Sequence, residues 1–113
     1  MQLNILNKLK NIISFRTSSK EIQYKEAMDI LKEHTNSVLL DVRSHQEFCE
    51  GHLPNAINIP IYDLAKNVGK NIKDKNTIII AYCSSGARSK KALKILDNLC
   101  YTNAYAIKGG IEI

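Results

Sequence analysis

Short apolar runs alternate along this chain with segments in which apolar residues recur every three or four positions. Brief, branched apolar runs are typical of buried strands, and the wider spacing is typical of helices packed on one face. The predicted strands are Ile22–Tyr24, Val38–Val42, Ala56–Ile59, Thr77–Tyr82 and Asn103–Ile107. The predicted helices are Lys25–Glu33, a short helix opening at Ser44, Ile61–Asn67 and a long helix after Cys83. This alternation predicts an α/β sandwich around a mostly parallel central sheet of about five strands.

Residues 1–19 precede this alternation. Apolar residues recur at helical spacing over residues 2–14, with Lys8 and Lys10 between them, and a Thr-Ser-Ser segment follows. The pattern predicts an N-terminal amphipathic helix and linker, with the α/β domain over residues 20–113. The helix either packs its apolar face on the domain or, as the alternative, lies on a membrane surface.

The amino-acid composition limits the classes of protein to which this chain can belong. The 113 residues are 44% hydrophobic and 24% charged, which suits one globular domain. The net charge of +5 is spread along the chain and Trp is absent, so we expect a solvated basic surface and no nucleic-acid partner. A positive field near a reactive thiol would still gather small anions.

The cysteines and the lengths of the apolar segments bear on location. Cys49, Cys83 and Cys100 match neither a zinc site nor a paired redox motif, so we expect reduced thiols and neither metal nor cofactor. No segment approaches the ~18 apolar residues of a membrane span, and the N-terminus does not resemble a signal peptide. These features predict a cytoplasmic protein. We expect Cys49 and Cys100 to be buried as small apolar residues.

Cys83 stands where a predicted strand meets a loop of small residues. The Ser-Ser-Gly-Ala sequence of residues 84–87 lets the loop curl until its N–H groups converge on one point, and Gly86 tolerates a positive φ if the curl needs one. Arg88 then opens a helix and adds a cation at the rim. Convergent amides and a helix N-terminus stabilise a thiolate, so the pattern predicts a nucleophilic cysteine.

Three segments of the chain together resemble the rhodanese family of sulfurtransferases. They are LLDVRSHQEFCEGHLPNAINIP (Leu39–Pro60), IIIAYCSSGARS (Ile78–Ser89) and AYAIKGG (Ala104–Gly110). The resemblance covers roughly residues 20–110 and implies a rhodanese-like fold of three layers. It implies transfer of a sulfane sulfur from a small anionic donor such as thiosulfate to a thiol or cyanide acceptor. A protein that accepts the sulfur is an alternative partner.

The resemblance also implies roles for individual residues. Cys83 is the nucleophile that carries the persulfide, and Arg88 helps to bind the anionic donor. The amides that hold the donor and the persulfide belong to Ser84, Ser85, Gly86, Ala87 and Arg88. Asp41, Arg43 and His52 match the DVR and GH positions of the family. We expect these three residues to support the site rather than to move protons.

Two of these supporting residues, Asp41 and Arg43, are charged and are expected to pair with other groups. A buried Asp41 at the end of a strand needs a partner, either loop amides or a neighbouring base. Glu47 lies four residues after Arg43, which predicts an ion pair between them. Ser44 and Glu47 also have the spacing of a capping box at the start of the short helix.

Other functions stay open at this point. Phosphatases and arsenate reductases that use cysteine look similar, but they place five residues between Cys and Arg, whereas four separate Cys83 from Arg88. A shorter ring encloses less space and suits a sulfane sulfur better than a tetrahedral phosphate. A module that carries sulfur or binds a partner without turnover is the alternative to an enzyme. Attack by Cys49 on the persulfide, leaving a disulfide, is a further alternative.

Two features depart from the family's pattern. Family members commonly continue past the paired glycines with a helix, whereas three residues follow Gly110, so we expect a domain that is short at its C-terminus. Cys100 stands where a glycine often ends the long helix. A cysteine there is strained if its backbone is left-handed.

Overall fold

The computed structural model describes residues 20–113, and the predicted helix and linker of residues 1–19 lie outside them. In chain order the elements are β1 (Glu21–Ile22), α1 (Tyr24–Glu33), β2 (Ser37–Asp41), α2 (His45–Glu50), β3 (Ile57–Asn58), a 3₁₀ turn (Ile61–Asp63), α3 (Leu64–Asn71), β4 (Ile78–Tyr82), α4 (Ala87–Asn98) and β5 (Ala104–Ile107). Within these residues, five strands form one sheet in the order β1-β5-β4-β2-β3, and all neighbouring pairs are parallel. The predicted α/β fold with a mostly parallel sheet is therefore confirmed.

Element ends differ from the sequence prediction by small amounts, except in α3. This helix continues past its predicted end at Asn67 into a segment that the lysine-rich sequence predicted to be a connection. Leu64, Val68 and Ile72 are all buried, and they follow one another at four-residue spacing. The apolar stripe therefore holds the helix on the core through its polar last turn.

Both faces of the sheet are covered. On one face Leu40 and Ile79 pack with residues of α3 and α4, and on the other Leu39 and Ile80 pack with Ala27 of α1. The molecule is thus built of three layers. Because β2 and β4 are buried on both sides, their sequences are continuous apolar runs rather than alternating ones. None of the helices described over residues 20–113 has the length and apolar character needed to cross a bilayer.

The carboxyl ends of β2 and β4 lie at the same edge of the sheet. Asp41 and Tyr82 are register partners, so Arg43 and Cys83 emerge from neighbouring strands. The turn after α2 closes over this edge, where the Leu53 amide N–H donates to the Tyr82 hydroxyl at 3.0 Å. Ligands of open parallel sheets bind beyond this edge, which directs attention to the loop that follows β4.

Candidate active site

Cys83 follows β4 directly and leads into a tight loop that ends at α4. Gly86 has a φ of 97°, the left-handed conformation that glycine adopts without strain. A methyl group placed on Gly110 would lie 2.2 Å from the carbonyl oxygen of Ser84, so the chain after β5 packs directly on the loop. The Ile111 amide N–H also donates to the Cys83 carbonyl at 2.8 Å. The loop is therefore held in shape by backbone contacts.

Cys83 is fully buried, with an exposed fraction of 0% for the residue. The amide N–H groups of Gly86 and Ser89 donate to it at 3.1 and 3.3 Å. Burial raises the pKa of the Cys83 thiol, but hydrogen bonds from Ser89, Gly86 and Arg88 outweigh burial and leave the pKa below its usual value. Inward-pointing amides at the start of a helix thus favour the thiolate, which is the nucleophilic form.

Ser89 was missed by sequence reasoning as a site residue. Its hydroxyl lies 3.5 Å from the Cys83 sulfur and 3.2 Å from the Gly86 carbonyl, to which it donates. In this arrangement the hydroxyl accepts from the thiol, and rotation lets it donate to the thiolate instead. A signal was available, because a hydroxyl three residues after Gly86 lies in the first turn of α4, beside the loop.

Arg88 is paired with Glu47 rather than left open at the rim. Its two terminal nitrogens contact the two carboxylate oxygens of Glu47 at 2.6 and 3.0 Å. Ser84 joins this pair, since its hydroxyl lies 3.3 Å from Glu47 and 3.2 Å from the guanidinium. The hydrogen bond from Arg88 is the largest cause that holds the pKa of Glu47 well below its usual value. The pair therefore ties α2 to the cysteine loop.

The predicted pair between Glu47 and Arg43 is wrong. Arg43 turns back along its own strand to Asp41, with Nε and a terminal nitrogen 3.1 and 2.8 Å from the carboxylate. Its amide N–H donates to the same carboxylate at 2.8 Å, and its guanidinium also donates to the Gly51 carbonyl at 2.6 Å. Asp41 thus has the neighbouring base that its burial requires, and its hydrogen bond raises the pKa of Arg43.

Glu47 is also held by the predicted capping box. It accepts from the amide and the hydroxyl of Ser44, both at 3.0 Å, while its own amide donates to the Ser44 hydroxyl at 3.2 Å. The carboxylate therefore enters the site already oriented by the first turn of α2.

His52 lies on the surface beside α2. Its ring stacks on Phe48 with centroids 3.6 Å apart, and its Nδ1 lies 2.8 Å from the Phe48 carbonyl. The following residue, Leu53, is the one fixed to Tyr82. The geometry thus gives His52 contacts within its own turn, next to the residue whose amide is bonded to Tyr82.

A cavity of about 380 Å³ opens beside the loop. Ser84 and Ser85 line it from the loop, and Gly51 lines it from the turn after α2. Its charged lining residues are Arg43, Glu47, Glu50 and Glu112. A second cavity of about 590 Å³ lies elsewhere, along the outer face of α4.

The two other cysteines differ from expectation. Cys49 and Cys100 are both exposed rather than buried. Cys49 lies on the solvent side of α2, with its sulfur 3.4 Å from Nε2 of His45. Cys100 has a φ of 73°, so the left-handed backbone foreseen for this position is present. Within residues 20–113, no group of three His, Cys, Asp or Glu residues is placed to hold a metal ion.

Comparison with known proteins places this domain in a family. The family model for the rhodanese-like domain matches residues 23–112, which include the whole sheet apart from β1 and the entire cysteine loop. The chain belongs to the rhodanese-like domain family. The predicted family is therefore confirmed.

Individual relatives of this rhodanese-like chain differ in what their names describe. It is 39% identical over 95 residues to a tRNA uridine(34) hydroxylase of Buchnera aphidicola, covering 78% of this chain but 30% of that protein. It is 30% identical over 91 residues to a sulfurtransferase of Allochromatium vinosum, covering 80% of this chain and 83% of that protein. The fold resembles that of the human single-domain sulfurtransferase TSTD1, with a TM-score of 0.72 and 23% identity over 81% of this chain and 91% of that one.

Proposed function

We propose that this rhodanese-like domain is a sulfurtransferase that carries a sulfane sulfur on Cys83. The thiolate attacks the outer sulfur of a donor such as thiosulfate, the sulfur–sulfur bond of the donor breaks, and sulfite leaves with the bonding electrons. A thiolate or cyanide then attacks the outer sulfur of the persulfide, and the Cys83 thiolate is released. No net oxidation or reduction of the enzyme is needed.

The arrangement around the Cys83 sulfur carries this proposal. Amides of Gly86 and Ser89 point at the sulfur, and the loop packs too tightly against Gly110 to widen freely. A persulfide anion is a larger thiolate that needs the same convergent N–H groups. The name of the Allochromatium relative, which this chain nearly spans, supports the same reaction class.

The proposed reaction leaves one covalent mark. Brief treatment of the purified protein with thiosulfate, followed by mass spectrometry of intact protein and peptides, is expected to show one added sulfur atom on Cys83. The Cys83→Ser variant is expected to take up none. Cys49→Ser, which removes an exposed thiol, is the matched control and is expected to load normally. Addition of sulfur to Cys49 alone would contradict the proposal.

Turnover separates an enzyme from a sulfur carrier. Release of sulfite and thiocyanate from thiosulfate and cyanide, lost in Cys83→Ser, supports an enzyme. A single loading event without turnover, with cyanide and with small thiols, would instead support a carrier that serves one protein partner. Inactivity toward aryl phosphates and arsenate is expected, because the four-residue spacing from Cys83 to Arg88 makes a small ring.

The second cavity favours one other candidate function, action on tRNA. Lys20, Lys90, Lys91 and Lys94 line that cavity, and Ala87 of the cysteine loop borders it. Four lysines around one cavity, against the single carboxylate of Asp97, suit a phosphate backbone. The relative named tRNA uridine(34) hydroxylase is about three times as long as this match, so its activity is not transferred with the domain. A salt-sensitive gel shift with tRNA that is weakened by Lys91→Glu would support this function, and no shift at low salt would contradict it.

A further inference from the structure

The mouth of the candidate site differs in its charge from the chain as a whole. The mouth is the cavity of about 380 Å³ beside the cysteine loop. Arg43 lines this cavity, and Arg88 contacts two of its lining residues, Glu47 and Ser84; both guanidinium groups are already paired. Arg43 is paired with Asp41 at 2.8 Å and Arg88 with Glu47 at 2.6 Å. Neither guanidinium is therefore a free cation for an incoming anion.

Two further carboxylates line the same mouth. Glu50, in the last turn of α2, and Glu112, after the paired glycines, are both exposed. Among the described residues, neither carboxylate has an ion pair or hydrogen bond. Because Asp41 offsets Arg43 and Arg88 offsets Glu47, the unpaired Glu50 and Glu112 leave the cavity with a net negative charge before the Cys83 thiolate is counted.

Some of the lysines among the described residues lie on another surface. Lys20, Lys90, Lys91 and Lys94 border the larger cavity along α4. A small dianion is therefore attracted to the molecule as a whole, which carries +5, but meets carboxylates in the cavity beside the cysteine loop. This differs from the sequence expectation of a positive field that gathers anions at the thiol. At a distance of one or two side chains, local charges outweigh remote ones because the Coulomb energy falls with distance, and added salt screens the remote charges further.

We propose that the mouth selects a donor that carries less negative charge than the thiosulfate dianion, namely a thiol persulfide on an uncharged or cationic carrier, which reacts through its protonated form R–S–SH. This inference rests on the proposed function and names its donor class. The chemical step is of the same kind as the transfer from thiosulfate described above. Cys83 thiolate attacks the outer sulfur of R–S–SH, the sulfur–sulfur bond breaks, R–S⁻ leaves with the electron pair, and Cys83–S–SH remains.

Donors of different charge, each followed across salt concentration, test this selection. The probes are persulfides of cysteamine and of 3-mercaptopropionate, generated in situ, with thiosulfate as the dianionic probe. The measured quantity is the second-order rate of sulfur loading on Cys83, followed by rapid quench and mass spectrometry. Because the intrinsic reactivities differ, each donor is compared with itself across salt concentration, from about 0.01 M to about 0.2 M. The thiosulfate rate is expected to rise with salt, and the cysteamine persulfide rate to stay level or fall.

Neutralising one carboxylate at the mouth gives an independent measure. Glu50→Gln is expected to raise the low-salt thiosulfate rate by about threefold, and to leave the cysteamine persulfide rate unchanged or lower it. Glu33→Gln on α1 makes the same change in net charge away from the mouth and is expected to alter neither rate.

Three outcomes are distinguishable. Opposite salt trends for the two charge types, together with a donor-specific effect of Glu50→Gln, support the selection. Loading by thiosulfate that slows with salt and ignores Glu50→Gln overturns the selection while leaving the sulfurtransferase proposal intact. Failure of every donor to load Cys83 overturns the proposed function and, with it, this inference.

Discussion

The two adjacent glycines after β5 offer a direct test of how backbone shape controls the cysteine. Gly109 and Gly110 have nearly the same left-handed φ, 79° and 76°. A methyl group on Gly109 meets nothing within 4 Å, whereas on Gly110 it lies 2.2 Å from the Ser84 oxygen and 2.7 Å from the Ser85 nitrogen. Replacing each glycine with alanine therefore adds the same backbone strain, and only the second adds a collision with the loop.

The expected magnitudes follow from this difference. Left-handed backbone costs an alanine about 1–2 kcal/mol, so Gly109→Ala is expected to lower the free energy of unfolding by that amount and to leave sulfur loading intact. Relief of the Gly110→Ala collision needs a loop shift of about 1 Å, and a misplacement of that size costs about 100-fold in rate. Urea denaturation measures the stability of both variants, and the rate of thiosulfate loading measures their function. Equal loading rates in the two variants would refute the argument that Gly110 sets the shape of the loop.

Three further predictions concern single side chains. Ser89→Ala removes a hydrogen-bond donor to the thiolate, so the pKa of Cys83 is expected to rise and alkylation of Cys83 by iodoacetamide at neutral pH to slow. Ser89→Thr is expected to restore the alkylation rate. An unchanged pH profile of alkylation in Ser89→Ala would contradict this role of Ser89. Glu47→Gln breaks a pair with Arg88 that is about one-third exposed, so a loss of about 1 kcal/mol is expected in urea at pH 7. Folding lowers the pKa of Glu47, so the difference in stability between the unsubstituted protein and Glu47→Gln is present above the ordinary pKa of 4.5 and shrinks as the pH falls below that value. A difference in stability that is constant with pH would contradict this. Cys100→Gly relieves a left-handed residue and is expected to stabilise by about 1 kcal/mol, seen as a higher Tm, whereas a lower Tm would contradict the strain.

The sequence was most informative where local pattern and chemistry coincide. The strand before Cys83, the small residues after it and the helical spacing beyond are contiguous, so β4, the loop and α4 were predictable from one stretch of chain. The capping box at Ser44 was predictable for the same reason, because both partners lie within one turn.

Contacts between distant segments were not predictable in this way. Glu47 and Arg88 are separated by 41 positions, and their pairing depends on how α2 sits over the edge of the sheet. From spacing alone, Arg43 was the nearer candidate, but a buried carboxylate at Asp41 competes for it more strongly than a partly exposed one. Exposure of Cys49 likewise depends on which face of a six-residue helix meets the core, and so short a helix carries little periodic signal.

In the candidate site, backbone amides and side chains have different roles. The amides of Gly86 and Ser89 reach the sulfur directly, so stabilisation of the thiolate depends on the shape of the loop. Arg88 fixes that loop to Glu47, and an arginine used in this way is not available to attract a donor. Nucleophile strength and donor choice are therefore set by different parts of the molecule. Substitution of Glu50 is expected to change which donor reacts without changing the ionisation of Cys83, whereas substitutions that move the loop, including those of Glu47, change both.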